Sequence, residues 1–210
     1  IGLGVVPINR RNKCNWACLD IDSYEGFDHK KLLQDIFELN LPILVCKSKS
    51  GGAHCFLFLS EEVECTYVRQ YLAKVSICIG HPGVEIFPKQ DKLVSEQDKG
   101  NWLNMPYFNS DQRRCIILDS KGEVKELSLE EFVERVELEA LTEDQFYNIF
   151  NDFNPDKADA TNIDDEVIQG APPCIICMSK AGIQNGSRSD VLIHYGTFIY
   201  KKYGPDEINV

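Results

Sequence analysis

The sequence predicts an α+β fold, on three observations. Trp16 to Asp22 alternates with the two-residue period of a strand. Leu32, Leu33, Ile36 and Phe37 recur at helical spacing. CIILDSKGEVKEL places a turn at Ser120, Lys121 and Gly122 between two strand-like runs.

In chain order, IGLGVVPI reads as an opening strand. In WACLDIDSYEG, Ala17, Leu19 and Ile21 point one way, and Trp16, Cys18, Asp20 and Asp22 the other. Asp28 caps a helix over HKKLLQDIFEL. Pro42 to Cys46 is a short strand, a Gly-containing turn follows, and CFLFL is the next strand. Ser60, with Glu61 and Glu62 in the first turn, is expected to open a helix that turns Val63, Tyr67, Val68, Tyr71, Leu72 and Val75 inward and stops near Gly80 and Pro82. GVEIF is a short strand, Lys89 to Lys99 a polar loop, and NWLNMPYF leads to the hairpin. Two acidic helices follow, Ser128 to Glu139 and Thr142 to Phe150, with charged faces expected to lie in solvent. The organisation expected is a first domain over 1–150, a linker over 151–171 and a helical module over 172–210. The chain starts at Ile1 inside a strand-like stretch and ends where a new element opens, so it is expected to be a piece of a longer protein.

Its 210 residues, 43% of them hydrophobic, suffice for one large domain or a domain with an appendage. No run reaches the roughly 18 apolar residues of a membrane helix, and no signal peptide is apparent, so no membrane association and a cytoplasmic location are expected. The nine cysteines are odd in number and several lie in apolar runs, so they read as reduced core residues. The net charge of −11 opposes nucleic-acid binding only superficially. Residues 1–120 carry 14 basic and 15 acidic groups and residues 121–170 carry 4 and 15, so the excess is confined to one block. A locally basic groove is compatible with the rest.

Three stretches carry the chemistry. Asp20 and Asp22 project from one side of a strand, where two like charges make sense around a divalent cation or a basic partner, or as a solvent-facing strand end. KSKSGGAHCFLF gathers Ser48, Lys49, Ser50, two glycines and His54, a composition that suits a triphosphate or makes a plain hairpin turn. It is not a P-loop, because no Gly-Lys-Ser/Thr opens a helix. In GVEIFPKQ, Glu85 faces away from the side that Val84 and Ile86 bury, as a ligand or as an ordinary solvent-side residue.

The order of carboxylate pair, Ser-Lys-Gly-His turn and single carboxylate resembles the archaeo-eukaryotic primase superfamily, particularly the primase-polymerases (PrimPols) of phages, plasmids and related mobile elements. VVPI, EIFPKQ and GNWLNMPYF strengthen the likeness, and PPCIICMSKAGIQNGSRSDVLIHYG is similar to the helical module that follows such domains. The second motif departs from the S-x-H pattern, which leaves open whether Ser48 or Ser50 meets phosphate. The resemblance implies an RRM-like antiparallel sheet carrying the site, in the archaeo-eukaryotic primase fold. It implies a DNA primase and DNA polymerase, a template-dependent nucleotidyltransferase of phage or mobile-element DNA replication. Asp20, Asp22 and Glu85 would be the catalytic and metal residues, holding two Mg²⁺ or Mn²⁺ ions. Ser48, Lys49, Ser50, Gly52, His54 and Asn104 would bind the nucleotide, and Lys89 and Arg188 the template. The partners implied are single-stranded DNA, dNTPs or NTPs, and a helicase in cis or in trans, in host cytoplasm if phage-encoded.

Lys92, Lys99 and Lys47 are further candidates for a template path, or ordinary surface lysines. Cys174 and Cys177 form C-x-x-C, but without a second ligand pair, and beside Ile175 and Ile176, they read as buried helix rather than zinc ligands. The rival readings are a polymerase that only extends primers in end-joining repair, a metal-dependent nuclease, and a catalytically dead assembly module.

Overall fold

The structure, a computed structural model, describes residues 2–23, 26–108 and 112–152. The chain divides into two compact units, Ile1–Ala73 with Val84–Asn151, and Lys74–Gly83 with Asp152–Val210. The linker and helical module expected from residue 151 onward, with Arg188, Cys174 and Cys177, lie outside the described residues, apart from Asn151 and Asp152.

The fold is α+β, as expected, with four helices and eight strands among the described residues. In chain order these are β1 (Gly4–Val5), β2 (Lys13–Ile21), α1 (His29–Glu38), β3 (Leu44–Lys47), β4 (Ala53–Glu64), α2 (Cys65–Cys78), β5 (Glu85–Phe87), β6 (Leu103–Asn104), β7 (Cys115–Leu118), β8 (Val124–Glu126), α3 (Leu129–Glu139) and α4 (Glu143–Asp152). Six strands form one sheet in the order β5-β2-β4-β3-β7-β8, and every neighbouring pair is antiparallel. β1 and β6 form a separate antiparallel ribbon, so of the IGLGVVPI stretch only Gly4 and Val5 are paired.

Local signals explain most boundaries. Asp28 accepts the Lys31 amide, capping α1, and Ser128 and Glu131 form a reciprocal capping box on α3. The β7–β8 hairpin closes through Asp119, whose carboxylate accepts the Lys121 and Glu123 amides, with Gly122 at φ 73°. α1 buries Leu32, Leu33 and Ile36, but Phe37, placed by spacing on the same stripe, is 79% exposed at the lip of a groove.

α2 starts at Cys65 and not at Ser60, because β4 runs on through Glu64. The register slips between Cys14 and Trp16, so that β4 bulges after Phe58 and pairs again at Cys14↔Val63 and Lys13↔Glu64. The bulge is held by the α3–α4 connection, where the Ser60 amide donates to the Leu141 carbonyl and the Leu141 amide to that of Phe58. Val63 is buried from a strand, so the helical stripe read through it started too early.

The sheet is covered on both faces. Ala17, Leu19, Ile21, Val45, Cys55, Leu57 and Ile116 are buried on one. On the other, Cys18, Leu44, Cys46, Phe56, Phe87 and Cys115 pack with Leu103 of β6, with Leu127 just after β8 and with Phe132 of α3. The β2 face carrying the aspartates is therefore a second core as far as Cys18, and opens only beyond it. Of the seven described cysteines all but Cys78 are buried, and those six are in no disulfide. No helix among the described residues is long and apolar enough to cross a membrane.

Candidate active site

Glu85, Asp20 and His54 occupy one row across three adjacent strands. Asp20 on β2 lies directly opposite Glu85 on β5 and His54 on β4. Directly opposed residues share a face, with Cβ atoms about 4.5–5.5 Å apart. The row continues inward to Cys46 on β3 and Cys115 on β7. The next row on this face, Phe87, Cys18, Phe56 and Leu44, belongs to the covered core. The carboxylates thus stand where the cover ends, on strands anchored by apolar side chains two residues away.

Each charge has a neighbour. His54 Nε2 stands 3.2 Å from Asp20 Oδ1, with side chains 9% and 16% exposed. The approach is off the N–H direction, leaving that buried oxygen without a hydrogen-bond donor among the described residues. Glu85 is more exposed and pairs with Lys89, Nζ to Oε2 2.7 Å. Lys89 also lies over the Phe87 ring, 5.0 Å from its centre. Phe87 is buried in the core, and Lys89, two residues on, lies back against the carboxylate.

Asp22 sits one residue past β2, exposed, and accepts the Ser50 hydroxyl at 2.8 Å. The Ser48 and Ser50 hydroxyl oxygens are 2.8 Å apart, so a chain of hydroxyls links the Ser-Gly turn to the second aspartate. Gly52 lets that turn lie on the end of β2, since a Cβ there would come within 1.9 Å of the Ile21 carbonyl oxygen. The turn is tied by the Ser48 amide to the Gly52 carbonyl, which lies 3.0 Å from His29 Nε2. A carbonyl only accepts, so that ring nitrogen carries the proton. His29, on the first turn of α1, escaped the sequence reading because one histidine after a cap residue reads as ordinary helix surface.

Lys49 is exposed at the tip of the turn, and Lys47 is paired with Glu126. Lys92 and Lys99 are exposed in the loop before β6. Asn104 faces Gly2, whose Cβ would come within 2.4 Å of the amide oxygen. Arg113, not singled out from sequence, is buried and donates to the Phe108 carbonyl at 2.8 Å.

The thiols beneath the row are held neutral. Burial pushes Cys18, Cys46 and Cys55 up, and the Asp20 carboxylate raises Cys18 and Cys55 further. They are packing groups here.

For a divalent cation the donor chemistry fits: Asp20, Asp22 and Glu85 are hard oxygen ligands, and one Asp20 oxygen is buried without a donor. The ligands are not gathered, because no three of His, Cys, Asp and Glu among the described residues lie close enough to hold a metal ion. In this arrangement Lys89 neutralises Glu85 and Ser50 holds Asp22.

The α+β fold built on this antiparallel sheet is of the archaeo-eukaryotic primase type, a class of primase-type nucleotidyltransferases at the family level. The family model "TOTE conflict system, Archaeo-Eukaryotic Primase domain" matches residues 1–140, and the chain belongs to that family. A search of curated proteins finds no match. The family match ends at Ala140, so the part of the likeness drawn from the C-terminal stretch lies beyond it.

Proposed function

We propose that this chain is a template-dependent nucleotidyltransferase that makes and extends primers on single-stranded DNA from nucleoside triphosphates. The observation that carries the reading is the row itself: residues 20, 54 and 85, far apart in sequence, are direct neighbours across three strands. The Ser48–Gly52 turn, tied through Ser50 to Asp22, lies beside it.

Phosphoryl transfer asks the protein chiefly to position its substrates and neutralise charge. Asp20, Asp22 and Glu85 would hold Mg²⁺ or Mn²⁺, two ions in all, which when bound neutralise charge on the attacking and leaving oxygens. Ser48, Ser50, Lys49 and the backbone amides of the turn would receive the triphosphate. His54 would stand between that turn and Asp20, able to donate to a phosphate oxygen from the ring edge that now faces the carboxylate. Gly52 contributes by letting the turn approach the strand end. A hydroxyl-lined turn suits a triphosphate better than cleavage of an existing strand, which favours synthesis over the nuclease reading.

The setting we infer is replication of a mobile element or a conflict system, with a helicase in cis or in trans. The test incubates the 210-residue chain with a single-stranded template and labelled nucleotides, with and without a primer, in Mg²⁺ and in Mn²⁺. Products formed without a primer support the reading. Extension alone makes it a primer-extending, repair-type polymerase, and template cleavage makes it a nuclease.

A further inference from the structure

The ribbon β1–β6 presents an aromatic face that the site described above does not use. Trp102 is 59% exposed, although its indole is fixed in place. One side lies against the Gly4 backbone, so closely that a Cβ there would meet Trp102 Cε3 at 2.5 Å and Cδ2 at 2.8 Å. The next residue, Leu103, is anchored in the core with Phe87 and Cys18. A large flat ring is thus held against a glycine while most of it remains in water.

The surroundings select the occupant. The ribbon covers, through Leu103, the sheet face that carries Glu85 and Asp20 one row beyond Phe87 and Cys18. Two acids of the loop leading into β6 are already engaged, Asp98 within the loop and Asp91 by α2. Asp98 accepts the Val94 and Gly100 amides at 3.0 and 2.9 Å and the Gln90 side chain at 2.8 Å, and Asp91 pairs with Arg69 at 2.6 Å. That leaves Lys92 and Lys99 exposed, with Glu96, in the loop that leads by sequence to the ring. Lysines beside an exposed flat ring match both parts of a single strand, its phosphates and its bases, whereas an acidic peptide would engage the lysines and leave the ring without a stacking partner.

We propose that Trp102 is a stacking platform for a base of single-stranded nucleic acid, with Lys92 and Lys99 meeting its phosphates. The proposal deepens the reading above by naming where the template strand rests beside the site. Gly4 is part of the platform, because only a residue without a side chain lets the indole lie flat.

The chain has two tryptophans, Trp16 and Trp102, so intrinsic fluorescence separates them. An oligothymidylate is expected to quench the emission of the wild-type chain and of Trp16→Phe, and to leave that of Trp102→Phe unchanged. By anisotropy of a labelled oligothymidylate, Trp102→Ala should bind about 5- to 150-fold more weakly, the range for losing one stacked base. Gly4→Ala, which pushes the ring off its seat, should weaken binding in the same direction. Circular dichroism and melting establish that the variants fold. Wild-type affinity in Trp102→Ala, or quenching that follows Trp16, overturns the proposal. If Trp102→Ala loses affinity while the wild type makes no product, the platform stands and the synthetic reading falls. If synthesis proceeds and Trp102→Ala is unaffected in binding, the platform alone falls.

Discussion

Asp20 and Glu85 lie directly opposite one another on β2 and β5, and the ammonium of Lys89 reaches back to the second of them. Like charges in cross-strand register destabilise a sheet. The arrangement holds because Glu85 is paired and His54 stands against Asp20. Such a pair is costly for structure alone and useful where a cation is to be bound.

Replacing Asp20 should therefore separate function from stability. Asp20→Asn removes one of two facing charges and keeps the shape, so its melting temperature should equal or exceed that of the wild type. Nucleotide incorporation should be lost. Incorporation at the wild-type rate in a folded Asp20→Asn chain would remove Asp20 from the reaction.

Lys89→Ala exposes the Glu85 carboxylate to its neighbour. Partly exposed ion pairs contribute about 0.2–1 kcal/mol, so the metal-free melt should fall slightly. Added Mn²⁺ should then raise the melting temperature more than it does in the wild type, since the ion no longer competes with an ammonium. Equal shifts in the two chains would mean that Glu85 takes no part in holding the ion.

Gly52→Ala tests the seat of the turn. The added methyl would meet backbone atoms of Ile21 and Ser23, which cannot swing aside as a side chain does. A destabilisation of about 1–3 kcal/mol in urea unfolding is expected. Weaker triphosphate binding should accompany it. Gly51→Ala, at φ 92°, should cost less than that clash, because its methyl would stand 3.5 Å from the Ser23 carbonyl oxygen and only the left-handed backbone penalty applies.

The buried thiols predict a dependence on alkaline pH. Burial raises Cys18, Cys46 and Cys55 in the folded chain, and contact with Cys65 together with burial raises Cys14. The folded state keeps these protons when the unfolded chain would release them, near pH 8.5. Their contribution is complete below that pH and is lost as pH rises above it. Unfolding midpoints between pH 7 and 10 should decline accordingly. Iodoacetamide followed by peptide mass spectrometry should leave these four cysteines unmodified in the folded chain, and rapid labelling of any of them would contradict their placement.

Much of the architecture was legible in the sequence, because strand alternation, the Asp28 and Ser128 caps and the Asp119–Gly122 turn are local effects acting within a few residues. The α2 boundary was not, because Ser60, Glu61 and Glu62 satisfy the rules for a helix start. What overrides them is a backbone ladder to Lys13 and Cys14 and a clasp by Leu141, both remote in the chain. Phe37 shows the same limit: helical spacing placed it on the buried stripe, yet packing leaves it at the edge of a groove.

For the site, the sequence by itself determined which residues are unusual in their setting: Asp20 and Asp22 on a strand, the Ser48–His54 turn and Glu85 among apolar neighbours. Side-chain alternation even decides that Asp20 shares a face with Cys18. Only the tertiary structure decided that this face is buried up to Cys18 and partly uncovered at Asp20, that Glu85 and His54 flank it, and that Lys89 and Ser50 hold its companions. Strand order and register arise from packing between distant segments, and a linear pattern carries the period of each strand without the identity of its neighbours.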